Sequence, residues 1–429
     1  MTDLSLSRRN FLGASAATAA TAAVAADMTS LDVLQNPLLA GELKQQGKRV
    51  ILLWLAGGAS QLETFDPKPG RPTGGPYRAI NTSVPGVQIS ELMPKMASRL
   101  SKYTSIIRSL DTKNADHGGG ARLMHLGRRD EPTVKYPDLG AVLARELGRI
   151  DSQVPDYVSF YTATEGRGNA ISQSGFLGAR YNAMFLTQGN VPPNLSRLAE
   201  ISDLDHQQRG ELRKLLSERF ADGRQSASLA SHNESYSRVR GLMASETLFD
   251  ISKESQSVRD KYGPTLFGEQ CLVARRLVEA GVPFVKISRA WWDSHGQNFE
   301  THLELVSELD HVMSALLDDL SERGLLENTL VVTLSEFGRT PQINSSLGRD
   351  HFASAWSSSL SGCGIKPGTV YGASDEDGRT VKDGKIGAAE LFATIYRAVG
   401  IDHRKDYHVG ARPLPLTDPG TKPVTEVLA

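Results

Sequence analysis

The stretch Gly47–Ser60, GKRVILLWLAGGAS, carries a near-continuous apolar run from Val50 to Leu55 and closes on Gly57 and Gly58. A strand with one wet face alternates apolar and polar residues. This run does not alternate, so it predicts a strand covered on both faces, at the centre of a parallel sheet. The rest of the chain supplies what such a sheet needs. VPFVKIS (282–288), PDYVSFY (155–161) and the run Leu330–Leu334 read as further buried strands, and a short strand passes through Ile106 and Ile107. Between them lie helical patterns: Met93 onward, DLGAVLARELG (138–148), LFGEQCLVARRLVEAG (266–281) and GAAELFATIYRAVG (387–400). The longest has Phe299, His302, Val306, Leu309, Met313, Leu316 and Leu320 on one stripe. Alternating strands and helices predict an α/β fold, a mostly parallel central sheet flanked by helices. The segment 194–261 departs from this rhythm. It is polar, charged and helical in composition, and reads as a helical insertion or cap beside the site mouth.

Bulk composition narrows the function. The 429 residues are 39% hydrophobic and 23% charged, as in ordinary globular proteins, and the net charge is −1. No electrostatic field draws nucleic acid or an anionic membrane, so neither is expected as a partner. Residues 7–26, SRRNFLGASAATAATAAVAA, place Arg8 and Arg9 before Phe11, Leu12 and a weakly apolar run ending in small residues. That layout predicts a twin-arginine signal peptide over 1–26, the Tat export machinery as a partner, and a periplasmic or secreted location. The run is too weak for a stable membrane span. Cys271 and Cys363 are the only cysteines, enough for one disulfide at most; Cys271 lies in a helical apolar pattern and reads as core.

In open parallel sheets, ligands bind beyond the carboxyl ends of the strands. Carboxylates and histidines collect there. Ser60, Glu63 and Asp66 follow the first strand; Asp116, His117, Arg122 and His125 follow the strand at Ile106; Asp293 and His295 follow VPFVKIS; Glu336 and Arg339 follow Leu334, with Asp350 and His351 a little later. Oxygen and imidazole donors from several loops suit one or two divalent ions. Such ions polarise phosphoryl or sulfuryl oxygens and acidify bound water. Arg339 or Arg122 can grip an oxyanion, and Gly118 and Gly119 can bring backbone N–H groups to one. Plainer readings exist for each. Asp293 serves equally as a helix cap, His302 as a core histidine, and Glu336 as an internal partner of Arg339. Trp291 and Trp292 read as a wall beside Asp293, with a stacking role toward a sugar.

The motifs GGASQLETFDPKPG, HGGGARLMHLGR, WWDSHGQNF, SEFGRTP, GRDHF and GTVYGASDEDG, in this order from about Lys48 to Leu414, resemble the Tat-exported proteins called domain of unknown function 1501. The resemblance implies a single α/β domain over 48–414 of the alkaline phosphatase/sulfatase-like superfamily, with metal ligands at the strand ends. Against active sulfatases and phosphatases, Gly57-Gly58 stands where first-strand aspartates belong. His117 and glycines stand where a cysteine, serine or threonine nucleophile belongs, and Phe337 stands where a ligand histidine belongs. The resemblance therefore implies a reduced site with one divalent ion, in which zinc, calcium and magnesium are not distinguished. Its ligands come from Asp293, His295, Glu336, Asp350 and His351. Direct attack by metal-bound water, with His117 or Glu336 as general base and Arg339 orienting the anion, is the expected reaction on a sulfate or phosphate ester. The alternative is a non-catalytic relative that binds a glycan, anion or partner in the same cleft.

Overall fold

The computed structural model describes residues 47–149, 154–160, 173–187, 189–192, 200–222, 243 and 246–429. The leader expected over 1–26 lies outside them, as do parts of the segment 194–261. Eight strands form the main sheet: β1 Arg49–Leu55, β2 Thr104–Leu110, β3 Tyr157–Phe160, β4 Met184–Leu186, β5 Phe284–Arg289, β6 Thr329–Leu334, β7 Trp356–Gly362 and β8 Val370–Tyr371. Their order across the sheet is β8-β2-β7-β6-β1-β5-β3-β4. The first strand sits inside, parallel to β5 on one side and β6 on the other. Its residues split by parity, as a pleat requires. Ile51, Leu53 and Leu55 enter one core and Val50, Leu52 and Trp54 the other.

Helices cover both faces. The first core takes α1 (Pro94–Tyr103), α5 (Leu266–Glu279) and α6 (Asn298–Glu322). The second takes α2 (His117–Leu126), α3 (Leu139–Leu147) and α7 (Ala388–Ala398). Helix α4 (Asp203–Ala221) falls in the segment read as an insertion, and its Leu204, Leu212, Leu215 and Leu216 are exposed. No described helix is long and apolar enough to cross a membrane. Both cysteines are free and buried, so the disulfide that two cysteines would allow does not form.

One strand has no apolar signature. Strand β7, WSSSLSG, runs antiparallel to both β2 and β6. Its serines are buried because the neighbouring strands satisfy them. Ser358 Oγ donates to Thr333 O at 2.7 Å, Ser359 Oγ meets Thr333 Oγ1 at 2.8 Å, and Ser361 Oγ meets Thr104 Oγ1 at 2.8 Å. Direction matters for the site. The carboxyl ends of the parallel strands share one edge, with Leu55 paired to Arg289 and Trp54 to Leu334. Because β7 runs the other way, its first residue, Trp356, pairs with Leu110 at that same edge. The residues that precede β7, His351 among them, are thus delivered to where the other strands end.

Candidate metal centre

Four loops meet at this edge. After β1, Gly57 and Gly58 turn with φ of 113° and 92°. A Cβ on Gly57 would collide with the backbone N of Asp293, so only glycine lets the β1 and β5 loops touch here. Gly57 N–H donates to Glu336 Oε1 at 2.8 Å. After β2, Asp116 caps α2 by accepting from Gly119 N at 2.7 Å, and the first helical residue is His117. Glycines are poor helix formers, yet 118–120 open this helix. The reason is contact: a Cβ on Gly119 would meet the Asn114 side chain, and one on Gly120 would lie 3.0 Å from Glu336 O.

Asp293 is the hub. His117 Nε2 lies 3.2 Å from its Oδ2, and His295 Nε2 and His351 Nε2 each lie 3.2 Å from its Oδ1. His295 and His351 approach each other Nε2 to Nε2 at 3.0 Å. Every one of these rings has its other nitrogen held by an oxygen. His117 Nδ1 meets Glu336 Oε1 at 2.9 Å, His295 Nδ1 meets Asp350 Oδ1 at 2.8 Å, and His351 Nδ1 meets Ala115 O at 2.8 Å. Those oxygens are acceptors, so each Nδ1 carries a proton, and each Nε2 is the atom turned to Asp293: as an N–H it donates to the carboxylate, and once that proton is displaced it offers a lone pair to a cation. Phe337 walls the cluster, with ring centroids 5.0 Å from His117 and 4.4 Å from His351.

The electrostatics follow from these contacts. Burial opposes charge on His117, but its bonds to Asp293 and Glu336 outweigh this and raise its pKa to about 9. Burial likewise opposes charge on Asp293. Its partners His117, His351 and Arg339 overcome that and hold the carboxyl far below the ordinary aspartate range. The bond from His295 keeps Asp350 below its usual value.

The expected residues thus divide. His117, Asp293, His295, Glu336, Asp350 and His351 come together. Arg339 joins them in another role. It is fully buried, and its Nη2 donates to Asp293 Oδ1 at 2.7 Å and to Gly57 O. Its Nε goes to Gly58 O at 2.8 Å and its Nη1 to Arg349 O at 3.0 Å. It fixes Asp293 and knits loops instead of facing a ligand. Arg122 is turned to Asp130, with Nε to Oδ2 at 2.8 Å, and the Gly119 amide is taken by Asp116. Glu63 does not reach the centre; it is buried against Arg349 at 2.8 Å. His125 lies under the sheet, bonded to Lys286 Nζ at 2.8 Å. His302 is a satisfied core residue, bonded to Asn298 O at 2.9 Å and accepting from Ser60 N at 3.0 Å. Asp293 does not cap the long helix, whose N-cap is Gln297. Trp292 is buried against His302, whereas Trp291 is 63% exposed. Sequence reasoning missed the Ala115 carbonyl, which carries no side-chain signal, and Arg349, which binds Glu63, Thr73 O, Thr340 O and Pro341 O.

A family model described as "Protein of unknown function (DUF1501)" matches residues 47–428. No curated protein matches the chain. Among solved structures it is similar to the PsFucS1 sulfatase from Pseudoalteromonas sp., with 14% identity, 85% of this chain and 72% of that one covered, and a TM-score of 0.37. It is similar also to a protein in the alkaline phosphatase superfamily from Vibrio parahaemolyticus, with 10% identity, 82% and 66% covered, and a TM-score of 0.39. A third is the lipoteichoic acid synthase LtaP from Listeria monocytogenes, with 11% identity, 85% and 78% covered, and a TM-score of 0.35.

Proposed function

We propose a function for this chain as a member of the DUF1501 family, to which it belongs: an exported, divalent-metal-dependent hydrolase of a phosphate or sulfate ester. The observation that carries the reading is the donor set. The Nε2 atoms of three imidazoles converge on one ionised carboxylate, a donor set that a cation satisfies once it displaces the imidazole protons. The spacing suits an ion. Ligands bound at about 2.0–2.1 Å in a tetrahedron stand roughly 3.3 Å apart; the Nε2 atoms of His117, His295 and His351 each lie 3.2 Å from an Asp293 oxygen, and those of His295 and His351 lie 3.0 Å from one another. The ligand atoms of His117, Asp293 and His351 all lie within 4.8 Å of one another. Imidazole-rich sets favour zinc or another first-row transition ion over magnesium or calcium.

His117, Asp293, His295 and His351 would hold the ion. Bound there, it would polarise an ester oxygen and lower the pKa of water. The protein's own groups do the rest. Glu336, Asp350 and the Ala115 carbonyl keep the three Nδ1 protons in place and aim the Nε2 lone pairs. Arg339 fixes the orientation of Asp293. Phe337 keeps water from one side of the cluster. His295 is the exposed member, with 48% of its side chain accessible, so substrate approaches from its side. Glu336, whose Oε1 holds His117 and whose buried Oε2 has no hydrogen-bond partner, is the carboxylate through which a proton is accepted or returned. The leader motif at Arg8-Arg9 supports export, and export suits an extracellular ester or glycan substrate.

A second reading is binding without turnover in the same cleft. The partners of Arg339 favour it, because each of its three nitrogens is already bonded inside the protein. Metal content of the purified, folded protein tests the proposal, before and after chelation and re-addition, alongside His351→Ala. Aryl sulfates, phosphomonoesters and phosphodiesters follow. Absence of a stoichiometric divalent ion in the parent sinks the proposal; metal without turnover of any ester class selects the second reading.

A further inference from the structure

The loop Asp111–Ala115 has two sides. One belongs to the centre, since Ala115 O holds His351 Nδ1. The other lines a cavity of about 290 Å³, with Thr112, Lys113, Asn114, Arg122, Arg129 and Asp130 among its walls. Three of those side chains are cationic and one is anionic. Asp130 is spent on Arg122, with Nε to Oδ2 at 2.8 Å. Lys113 and Arg129 are exposed and, among the described residues, form no ion pair. Asn114 uses its Oδ1 to accept from Asp116 N at 3.1 Å, which leaves its amide N–H groups for a ligand. Lys113 sits at φ 54°, a conformation that non-glycine residues seldom hold. Lys113 and Arg129 also line the adjoining cavity with Asp111, Glu131, Glu390 and Asp418, but Asp111 is bonded to Lys385, Asp418 to Arg128 and Glu390 to Gly387 N, which leaves Glu131, among the described residues, as the unengaged carboxylate there.

We infer that this cleft is a subsite for a second oxyanion, a phosphate, sulfate or carboxylate group of the ligand whose ester reaches the metal centre. Lys113 and Arg129 supply the charge and Asn114 a directed donor. The reach is right. Lys113 and His117 are four residues apart, so the two positions are at most about 14 Å from one another along the backbone. One sugar ligand of one or two rings spans a distance within that limit. The substrate class is therefore a multiply anionic molecule, and the cleft selects it over a singly charged one. This assignment rests on the proposed function for what happens at the centre, but not for anion binding in the cleft itself.

The test separates the two. Inorganic phosphate is titrated into chelator-treated full-length protein at fixed ionic strength, with the parent, Lys113→Ala/Arg129→Ala and His295→Ala compared by calorimetry; His295 belongs to the centre and makes no bond to the 111–115 loop. Saturable binding is expected, at least tenfold weaker in the double variant and unchanged in His295→Ala. No saturable binding to the metal-free parent overturns the inference. Equal affinity in the double variant does so too, and so does loss in His295→Ala, which would place the anion at the centre. In metal-loaded protein, glucose 1,6-bisphosphate is expected to bind at least tenfold more tightly than glucose 6-phosphate, with the advantage gone in Lys113→Ala/Arg129→Ala. Equal affinities in the parent overturn the claim that one ligand spans both positions. A protein that takes up no metal but passes the phosphate titration refutes the proposed function and leaves the cleft standing.

Discussion

His295 and His351 meet Nε2 to Nε2 at 3.0 Å while Asp350 and the Ala115 carbonyl occupy their Nδ1 atoms. With both Nδ1 atoms bonded to acceptors, the two Nε2 atoms crowd each other, a repulsion that a cation between them would relieve. Removing one ring relieves that repulsion and removes a ligand. His295→Ala should therefore leave the metal-free protein within about 0.5 kcal/mol of the parent, as at other exposed positions. The rise in Tm that zinc produces in the parent should shrink sharply, because ligand stabilisation scales with affinity. Thermal melts with and without zinc check both. An unchanged zinc response would remove His295 from the ligand set.

His117 makes the pH dependence specific. Its pKa in the folded, metal-free protein is raised to about 9 by Asp293 and Glu336, against burial. A raised histidine pKa contributes stability that is fully present below the unfolded value, near 6.5. That contribution is lost as pH climbs through about 9. The metal-free protein should therefore lose stability between those limits. Metal binding must displace this proton, so apparent affinity should rise about tenfold per pH unit below the same pKa and level off above it. Denaturant melts of chelated protein and competition with a calibrated chelator across this window give the two slopes. Flat profiles in both would mean that His117 is not held by two carboxylates.

Asp293 and Arg339 are bound to one another at 2.7 Å, and the arginine side chain is wholly buried. Breaking such a pair from one side strands a buried charge, at a cost of about 3–5 kcal/mol. Asp293→Asn should destabilise the metal-free protein by about that amount, besides abolishing metal uptake. A purely ligating aspartate would show the second effect alone. Urea unfolding of chelated protein distinguishes the outcomes.

Gly57 couples the first strand to the centre. A Cβ there would strike Asp293 N, and the residue holds φ 113°. Gly57→Ala should cost about 1–3 kcal/mol from backbone strain and displace the 291–293 loop. Metal affinity should fall with it, even though residue 57 offers no ligand atom. Full metal binding in a folded Gly57→Ala protein would show that the loop has slack.

The legible parts of this molecule were those with local signatures. The unbroken apolar run Val50–Leu55 announces a doubly covered parallel strand, and the donors after each strand then fall at one edge by topology alone. What stayed hidden depends on partners distant in sequence. Strand β7 reads as a polar segment because its serines are satisfied only by Thr104 and Thr333 across the sheet. Arg339 reads as an anion grip because nothing in SEFGRTP reveals that Gly57, Gly58 and residue 349 will surround it with carbonyls. The pairing of His295 with Asp350 joins positions 55 residues apart. The Ala115 carbonyl is invisible to any reading of side chains.

Trp291 combines exposure with strain. It is 63% exposed and holds φ 79°, in a region where a bulky residue is an outlier. Among the described residues, the other non-glycine positions with positive φ are Lys113, Gln297 and Leu347. All of them belong to the loops that carry or brace the centre: Gln297 N bonds Ser346 O, and Asn298 N bonds Leu347 O. Strain of this kind costs about 1–3 kcal/mol per residue and persists where the surroundings impose it. Folding alone gives no reason to keep a tryptophan here, since glycine would hold the same backbone without penalty. Trp291→Gly should therefore match or exceed the parent in Tm, while any ester turned over shows a KM raised several-fold with kcat nearly unchanged. That split is the mark of a ring that stacks on bound substrate and takes no part in the chemistry. A fall in Tm of several degrees would instead assign Trp291 to the scaffold.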